Sequence, residues 1–299
     1  MGGTLITGAT GFVGTRLVER LRARGVELHA LARGAPPAID GVHWHRAALE
    51  DAASVTDAVR GAAPVRVFHL GAMANPRSCE REPELATRVN VEGTRAVLAG
   101  AGAVGAATLV VGSAAVYGAA GRLTESAESR PRGVYGRTKL AAERAALEVA
   151  QSGQRVVVAR SFNHSGAGQS TDYVLPALAA QIRAASAAGE PVATGNLFPV
   201  RDFLHVDDVL DAYELLLERG ASGEVYNVCR GAGLSIGEAL AGLQQRLGAS
   251  GQRTRLDPER QRPDDAPEIL GDPAKLLALG WAPQVTLEAL LDDVASAAG

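Results

Sequence analysis

Short apolar runs alternate with amphipathic stretches along the first half of the chain, and this order predicts a parallel sheet covered by helices. The apolar runs have the length of strands that are buried on both faces. The longer stretches repeat their apolar positions every three or four residues, which is the period of a helix that packs by one face. The predicted strands are residues 4–7, 26–31, 42–45, 65–70, 108–111 and 155–161, and the predicted helices begin near residue 12 and cover 51–59, 80–99 and 135–149.

The alternation becomes less regular after residue 161. A polar, proline-bearing stretch at 121–133 and a glycine-rich stretch at 163–169 are predicted loops. The later elements are predicted to be helices at 174–186, 208–217, 236–247 and 287–294, with Asp207 as the N-cap of the second, and strands near Phe203 and at 224–228. We therefore predict an α/β protein, with a Rossmann-type doubly wound parallel sheet and a smaller interleaved C-terminal α/β lobe.

Three glycines at a spacing of three, Gly8, Gly11 and Gly14, separate the first predicted strand from the first helix. Such glycines allow a tight turn, a close approach to a pyrophosphate, and packing of the helix on the sheet, with the helix N-terminus directed at the anion. An ordinary strand-to-helix connection is the alternative, but the repeated strand–helix order that follows favours a dinucleotide site. No acid follows the second strand to bind a ribose 2′-hydroxyl. Arg33 lies there instead and favours NADP(H) over NAD(H), unless it is simply a solvated loop charge.

Composition excludes several classes of protein. The chain has 299 residues and a formal net charge of −3, which provides no basic surface for nucleic acid. Cys79 and Cys229 lie far apart without metal-ligand spacing, so we expect free thiols in a reducing cytoplasm and no metal. We expect no leader, because Met1 is followed almost at once by the first strand. Residues 96–121 carry no charge but contain six glycines, which favours a helix end, a turn and a buried strand over a membrane span.

Tyr135 and Lys139 are four residues apart on a predicted helix, so their side chains share one face. The chain uses arginine almost everywhere, and its lysines are Lys139 and Lys275. A tyrosine hydroxyl has an ordinary pKa of about 10 and donates its proton near neutral pH only if a positive charge stabilises the phenolate. A compact ammonium performs this task and also binds a ribose hydroxyl. The pair therefore predicts a proton donor, although a Tyr and a Lys on a surface helix are the alternative.

Ser113 follows a predicted buried strand, where its hydroxyl is suited to hold a substrate carbonyl. Residues 7–14 (TGATGFVG), Ser113-x-x-Val116-Tyr117-Gly118 and Tyr135-x-x-x-Lys139 together resemble the extended short-chain dehydrogenase/reductases that act on nucleotide sugars. The resemblance covers nearly the whole chain, including 90–94, 201–203 with 207–208, and 272–275 with 280–281. Within that family, the segments 159–164, 168–170, 195–197 and 223–229 are most similar to reductases of GDP-4-keto-6-deoxy-D-mannose.

The resemblance implies roles for individual residues. Tyr135 is expected to be the general acid/base, Lys139 its electrostatic partner and Ser113 the group that holds the carbonyl. Asn163 is expected to contact the sugar-phosphate side of the substrate, and Arg201 and Arg262 to clamp its diphosphate, a task for which a forked guanidinium is suited. The residues expected to bind the cofactor are Gly8, Thr10, Gly11, Phe12, Val13, Gly14, Arg33, Leu49, Leu70, Gly71, Ala72, Tyr135, Lys139 and Phe162.

The resemblance also implies how the chain is divided into domains and which oligomer it forms. Residues 1–162 plus 197–228 are expected to form the dinucleotide-binding Rossmann domain, and 163–196 plus 229–299 the nucleotide-sugar-binding lobe. A homodimer through the helices at 80–99 and 135–149 is expected. The chain departs from the family pattern at several positions. Ala48 lies where many relatives have an adenine-binding Asp, Ser161 lies where Pro is frequent, and Gly71 lies where Ala is usual.

Several activities are compatible with this resemblance. Sugar 4,6-dehydratases of this family carry acids just after the serine, whereas this chain has Ala114 and Ala115, which disfavours dehydration. A 3,5-epimerase/reductase needs a further acid/base pair, for which Cys79 and His164 are unsupported candidates. An NAD(P)H-dependent reduction of a 4-keto-6-deoxyhexose nucleotide, giving a product such as GDP-D-rhamnose, is favoured. The alternatives are an NAD-dependent UDP-sugar 4-epimerase and a non-catalytic NADP-sensing regulator, but such regulators typically lose the tyrosine or the lysine.

Overall fold

The chain folds into two compact units that are interleaved along the sequence. The structure, a computed structural model, describes residues 2–35, 37–261 and 265–297. The first unit consists of Met1–Gly118, Ala127–Ser161 and Leu210–Tyr226, and the second of Ala119–Ser126, Phe162–Val209 and Asn227–Gly299. Residues 119–126, 162, 197–209 and 227–228 thus lie in the second unit, although they fall within the part predicted to bind the dinucleotide. The functional division of the chain stays a prediction.

The strands are β1 (Thr4–Thr7), β2 (Leu28–Ala32), β3 (Val42–Arg46), β4 (Arg66–His69), β5 (Ala107–Ser113), β6 (Gly121–Leu123), β7 (Val156–Ser161), β8 (Asn163–Ser165), β9 (Val192–Thr194), β10 (Val200–His205), β11 (Val225–Val228), β12 (Gly233–Ser235), β13 (Thr254–Leu256) and β14 (Glu268–Gly271). The α-helices are α1 (Phe12–Ala23), α2 (Ala52–Ala62), α3 (Pro76–Arg81), α4 (Pro83–Thr87), α5 (Gly93–Ala103), α6 (Gly133–Gln151), α7 (Val174–Ala188), α8 (Val206–Arg219), α9 (Ile236–Arg246), α10 (Ala274–Leu277) and α11 (Leu287–Ser296).

A seven-stranded sheet forms the centre of the first unit. Its strand order is β11-β7-β5-β4-β1-β2-β3, and the neighbouring pairs from β3 to β7 are parallel. The sheet is built outward in both directions from β1, which is the doubly wound arrangement of a Rossmann fold. Every residue of β1 and β7 is buried, as expected for parallel strands that are covered on both faces. The prediction of this fold is confirmed.

The predicted helix at 80–99 differs from the observed structure. Glu82 lies at a break between α3 and α4, and α4 then continues into α5 through a π-helical segment at Arg88–Glu92. Pro83 explains the break, because proline begins a helix readily but does not continue one. The π-helical segment contains Asn90, and such wide turns occur frequently at functional sites.

The second unit has its own sheet and its own apolar core. Its sheet has the order β12-β10-β14-β6, with β8 also paired to β10, and a separate two-stranded sheet joins β13 to β9. The core lies among α7, α9 and α11 and includes Leu175, Ile182, Phe203, Leu243 and Leu290, all essentially inaccessible to solvent.

Three predictions about local structure need correction. The predicted loop at 121–133 begins with strand β6, which pairs with β14, and the predicted loop at 163–169 begins with β8, which pairs with β10. Three-residue strands have no hydrophobic period of their own, so pattern analysis misses them. Asp207 is not an N-cap, because α8 begins at Val206 and the ring of His205 accepts the backbone N–H of Asp207 at 3.1 Å. Within the described residues, none of the helices is both long and apolar enough to cross a membrane.

Candidate active site

The glycine turn between β1 and α1 brings three pieces of backbone together. Gly8 has a φ of +68°, and a Cβ atom on it would lie 2.7 Å from the backbone nitrogen of Gly71 after β4. A Cβ atom on Gly14 would lie 2.1 Å from the carbonyl oxygen of Gly8. Among the described residues, no side chain caps α1 at its N-cap residue, Gly11. A tight, side-chain-free turn at an uncapped helix N-terminus has the geometry that accepts a pyrophosphate, so these residues fit a dinucleotide.

Further residues predicted to bind the cofactor follow strands β2, β3 and β4 of the same sheet. Arg33 is exposed directly after β2, Leu49 is half-buried after β3, and residues 70–72 follow β4. A Cβ atom on Gly71 would lie 2.7 Å from the Leu49 side chain and 3.0 Å from the hydroxyl of Thr7. An alanine at position 71 would therefore require the end of the Leu49 side chain to shift.

Helix α6 is joined to the end of β5 by the predicted lysine. The Nζ atom of Lys139 donates a hydrogen bond to the carbonyl oxygen of Val111 at 2.6 Å. The residue is only 7% exposed, and this burial lowers the pKa of the ammonium to about 8, although the carboxylate of Glu143 acts in the opposite direction. Near neutral pH, Lys139 is therefore still charged but is close to losing its proton.

Ser113 and Tyr135 are brought to the same region by the packing of α6. Ser113 is the last residue of β5, and its Oγ atom accepts the backbone N–H of Ala115 at 3.2 Å, which fixes the short 3₁₀ turn that follows. Gly136 lies against this turn, because a Cβ atom on it would come within 2.8 Å of the Ala115 carbonyl oxygen. Tyr135 is half-buried beside an apolar cluster that includes Cys79. The structure thus brings the helical turn that carries Tyr135 and Lys139 to the end of the strand that carries Ser113.

A buried histidine that the sequence analysis missed connects the glycine turn to the helical segment around Asn90. Thr94 donates its hydroxyl proton to the Asn90 carbonyl at 2.7 Å, so it accepts a hydrogen bond from His69 Nε2 at 2.8 Å. His69 Nδ1 then accepts from the Thr7 hydroxyl at 2.7 Å, and the same hydroxyl oxygen accepts the backbone N–H of Gly71 at 3.0 Å. Burial lowers the pKa of His69 to about 3, and the ring is neutral.

Asn90 extends this network to helix α6. Its Oδ1 atom accepts the Met73 N–H at 2.7 Å, and its Nδ2 atom donates to the Met73 carbonyl at 3.1 Å and to the hydroxyl of Thr138 at 3.0 Å. Thr138 donates in turn to the carbonyl oxygen of Tyr135 at 3.0 Å. The residue type at position 90 formed part of the family resemblance, but no local pattern indicates its partners, because they lie 17 and 48 residues away.

Two further buried contacts lie along β7. Glu143 of α6 accepts two hydrogen bonds from the Arg160 guanidinium, at 2.8 and 2.6 Å, and both side chains are almost fully buried. The Ser161 hydroxyl lies 2.6 Å from the hydroxyl of Tyr213, and Ser161 pairs in register with Ser113 of β5. Burial raises the pKa of Tyr213 above the ordinary tyrosine value. Serine at position 161, where relatives often carry proline, therefore has a specific hydrogen-bond partner.

The second unit contains the remaining predicted site residues. Phe162 is buried, while Asn163 is exposed on β8 and donates to the Asp202 carbonyl of neighbouring β10 at 3.3 Å. The Arg201 guanidinium pairs with Asp265 and donates to the carbonyl oxygens of Val200 and Ala266. Arg262 lies outside the described residues.

The histidines, cysteines and acids of the described chain form no group of three or more that could hold a metal ion. Cys79 and Cys229 are both buried free thiols, and burial raises the pKa of each.

An uncapped glycine turn on a doubly wound sheet, with a buried lysine four residues after a tyrosine, defines a class of nucleotide-dependent enzymes. The model of the NAD dependent epimerase/dehydratase family matches residues 4–229. The chain belongs to this family, whose members include NAD(P)-dependent reductases, dehydratases and epimerases of nucleotide sugars. The predicted family is confirmed.

Individual relatives are similar over almost their whole length. The chain is 33% identical to the GDP-6-deoxy-D-mannose reductase of Pseudomonas aeruginosa, over 97% of this chain and 95% of the relative. The structure of RMD from Pseudomonas aeruginosa complexed with NADPH has a TM-score of 0.85 and 30% identity, and covers 100% of this chain and 99% of its own. The UDP-glucose 4-epimerase of Thermus thermophilus, in a complex with NAD, has a TM-score of 0.87 and 29% identity, with coverages of 99% and 98%.

Proposed function

We propose that the protein uses NADPH to reduce the 4-keto group of a nucleotide-linked 6-deoxyhexose, of the type that converts GDP-4-keto-6-deoxy-D-mannose to GDP-D-rhamnose. The observation that carries the proposal is the buried hydrogen bond from Lys139 to Val111, which holds the Tyr-x-x-x-Lys helix against the strand that ends in Ser113. Full-length similarity to a GDP-6-deoxy-D-mannose reductase supports the choice of reaction.

The chain's own residues perform the proton transfer in this proposal. The bound nicotinamide supplies the hydride that is added to the keto carbon. Tyr135 donates its hydroxyl proton to the carbonyl oxygen, which becomes the new hydroxyl of the sugar. The positive charge of Lys139 stabilises the resulting phenolate, and the Ser113 hydroxyl donates a hydrogen bond that orients the carbonyl. Ala114 and Ala115 lack ionisable groups, which is consistent with reduction rather than dehydration.

The cofactor is expected to lie on the glycine turn. Gly8, Thr10, Gly11, Phe12, Val13 and Gly14 would hold the pyrophosphate, with Leu49, Leu70, Gly71, Ala72 and Phe162 as further contacts. Arg33 supports NADPH, because it is exposed at the end of β2 and its neighbours in sequence include no acid to bind a 2′-hydroxyl.

Asn163, Arg201 and Arg262 are proposed to bind the sugar and the diphosphate. Arg201 already lies in a polar frame made by Asp265 and two backbone carbonyls, which fixes its planar fork before a ligand arrives. A fixed guanidinium binds a diphosphate with less loss of side-chain entropy than a mobile one.

Substrate preference tests the proposal directly. The purified full-length protein is mixed with NADPH and a panel of 4-keto-6-deoxy nucleotide sugars that carry guanine, uracil or thymine, and the loss of absorbance at the NADPH band is followed. We expect oxidation of NADPH with the GDP-linked 4-keto sugar and formation of a 6-deoxyhexose. No oxidation with any member of the panel contradicts the proposal.

Epimerisation is the second candidate, because the Thermus thermophilus UDP-glucose 4-epimerase has an equally similar fold. An epimerase returns the hydride to the same carbon, so it needs no net reductant. Purified protein that retains NAD through dialysis, and that interconverts UDP-glucose and UDP-galactose without added NADPH, establishes this activity in place of the proposed one.

We also propose a cytoplasmic homodimer that associates through residues 80–99, which include α4 and the start of α5, and through residues 135–149 of α6. A groove of about 390 Å³ is lined by Arg95 of α5 and by residues of α6 that include Leu140 and Arg144. Light scattering coupled to size-exclusion chromatography checks the assembly: a mass near twice 30.8 kDa is expected, and a mass near 30.8 kDa contradicts it. Two buried free thiols are consistent with a reducing compartment.

A further inference from the structure

A buried ion pair lies beside the proposed catalytic lysine, one helical turn further along α6. Glu143 and Lys139 are four residues apart on the same helix, and therefore share a face. Their exposures are 2% and 7%, so little water separates or screens them. The interaction between two charges increases as the surrounding medium becomes less polar, so a carboxylate here favours the charged form of the ammonium.

Arg160 of β7 determines where that carboxylate lies. Its Nε and Nη2 atoms donate to the two oxygens of Glu143 at 2.8 and 2.6 Å, a bidentate arrangement that fixes the plane of the carboxylate. Arg160 is fixed in turn, because its guanidinium carbon lies 4.8 Å from the centre of the Tyr117 ring. The negative charge of Glu143 is therefore held in one position on α6, one helical turn beyond Lys139.

The other titratable groups that act on Lys139 carry no charge near neutral pH. Cys79 of α3 is a buried thiol whose pKa is raised by desolvation, so it remains protonated. His69 of β4 has a pKa of about 3 because it is fully buried, so its ring remains neutral. Among the described groups that influence the ammonium, Glu143 is thus the one that supplies negative charge.

From this arrangement we infer that Glu143, oriented by Arg160, is a positioning residue that keeps Lys139 in its charged form during the reaction. This role rests on the proposed reduction, because a charged Lys139 matters there for stabilising the Tyr135 phenolate. Burial alone drives the ammonium toward its neutral form, and the fixed carboxylate opposes that loss. The ion pair then contributes to proton transfer in addition to packing α6 against β7.

The scarcity of lysine in this chain makes a direct test possible. In full-length protein with Lys275→Arg, Lys139 is the remaining lysine, so lysine labelled with ¹³C at Cε gives one side-chain signal whose shift reports its protonation. In this background we expect half-titration near pH 8. With Glu143→Gln added, we expect half-titration to fall by about one pH unit or more, a tenfold change in the proton equilibrium. Glu148→Gln, which removes an exposed carboxylate of the same helix, is the matched control and should leave the signal unchanged.

A kinetic measurement connects this titration to the reaction. The alkaline limb of the pH profile of kcat for NADPH oxidation should move to lower pH by about the same amount in Glu143→Gln, with KM for NADPH unchanged. A purely structural ion pair would instead lower kcat evenly at every pH. If the wild-type protein reduces none of the 4-keto sugars, the proposed function fails, whereas the lysine titration still decides whether Glu143 maintains the charge.

A double variant covers the case in which Glu143→Gln alone does not fold. Removing one member of a buried ion pair leaves an uncompensated charge, whereas Glu143→Gln with Arg160→Gln removes both charges and retains two groups that can hydrogen-bond. We expect the Lys139 titration to be lowered in the double variant as well. A titration equal to that of the starting protein, in a folded single or double variant, overturns the inference.

Discussion

Several polar groups around the proposed site of the first unit are more deeply buried than the proposed binding groups of the second unit. In the first unit, Lys139, Asn90 and Glu143 are buried, and each has partners within the unit. In the second unit, Asn163 is exposed and Arg201 is only partly buried, with its charge balanced by Asp265. Buried groups with fixed partners are already oriented for the reaction, because no further free energy of reorganisation is needed when the substrate binds. The more accessible groups suit binding, since a ligand is able to reach them.

This contrast implies that substitutions in the two units should change different kinetic constants. Removing a group that acts in the transition state lowers kcat, whereas removing a group that binds substrate and transition state equally raises KM. The following substitutions should separate the two effects, beginning with the greatest loss.

Tyr135→Phe is expected to reduce activity most. It removes the proposed proton donor, and general acid catalysis contributes roughly a factor of 10² to 10⁴ in rate. We therefore expect kcat to fall by about that factor while NADPH still binds with its original affinity. Stopped-flow NADPH oxidation and fluorescence titration of the cofactor measure the two quantities. Tyr226→Phe is a suitable control, because its hydroxyl accepts the backbone N–H of Ala221 in a different part of the unit; an unchanged kcat in Tyr135→Phe contradicts the mechanism.

Arg201→Gln is expected to act on substrate binding. A hydrogen bond to a charged group contributes about 1.5 to 3 kcal/mol, so KM for the nucleotide sugar should rise roughly tenfold to a hundredfold with little change in kcat. Steady-state kinetics at saturating NADPH measure both constants. Arg246→Gln removes another arginine of the same unit that pairs with an aspartate, Asp292, and it should leave KM unchanged. A fall in kcat without a rise in KM would contradict the assignment of Arg201 to binding.

Arg33→Ala tests the cofactor preference with a smaller expected effect. Loss of an exposed charge-assisted contact to a 2′-phosphate should lower the ratio of kcat/KM for NADPH to that for NADH by about tenfold. The comparison uses the same sugar substrate with both cofactors. Arg46, exposed at the end of β3, is the control position. If Arg33→Ala leaves this ratio of kcat/KM values unchanged, Arg33 contacts solvent and does not bind the 2′-phosphate.

The last prediction concerns His69, and it is about stability rather than rate. Its folded-state pKa is lowered to about 3, so between that value and about 6.5, its ordinary pKa, the unfolded chain binds a proton that the folded chain does not. The free energy of unfolding should therefore fall as pH decreases through this window, by at most about 1.4 kcal/mol per pH unit for this residue.

Urea unfolding between about pH 5 and 7, above the range in which most carboxylates titrate, measures this slope. His69→Gln should make it shallower, although the variant is less stable at neutral pH because it loses hydrogen bonds to Thr7 and Thr94. His43→Gln changes an exposed histidine and serves as the reference. Equal slopes in the wild type and in His69→Gln would show that the ring is not neutral in the folded protein.

The architecture of the first unit and the three residues of the proposed proton transfer could be predicted from the amino-acid sequence alone. Buried parallel strands appear in the sequence as apolar runs, and their alternation with amphipathic helices indicates the class of fold. Gly8 and Gly14 were recognisable because their roles depend on the absence of a side chain. Tyr135 and Lys139 were recognisable because a helix brings residues four apart onto one face.

The network around those residues, by contrast, depends on tertiary packing. Its hydrogen bonds join residues that are 17 to 62 positions apart in the sequence. They connect His69 to Thr7 and Thr94, Asn90 to Thr138, and Glu143 to Arg160. The spacing of apolar and polar residues in the sequence does not indicate such contacts, because they depend on how neighbouring elements pack. The same reason explains why β6 and β8 were predicted as loops: each is three residues long and gains its hydrogen bonds from a strand that is distant in sequence. Local patterns fix which elements form, whereas the burial and partners of each polar group are set by packing between them.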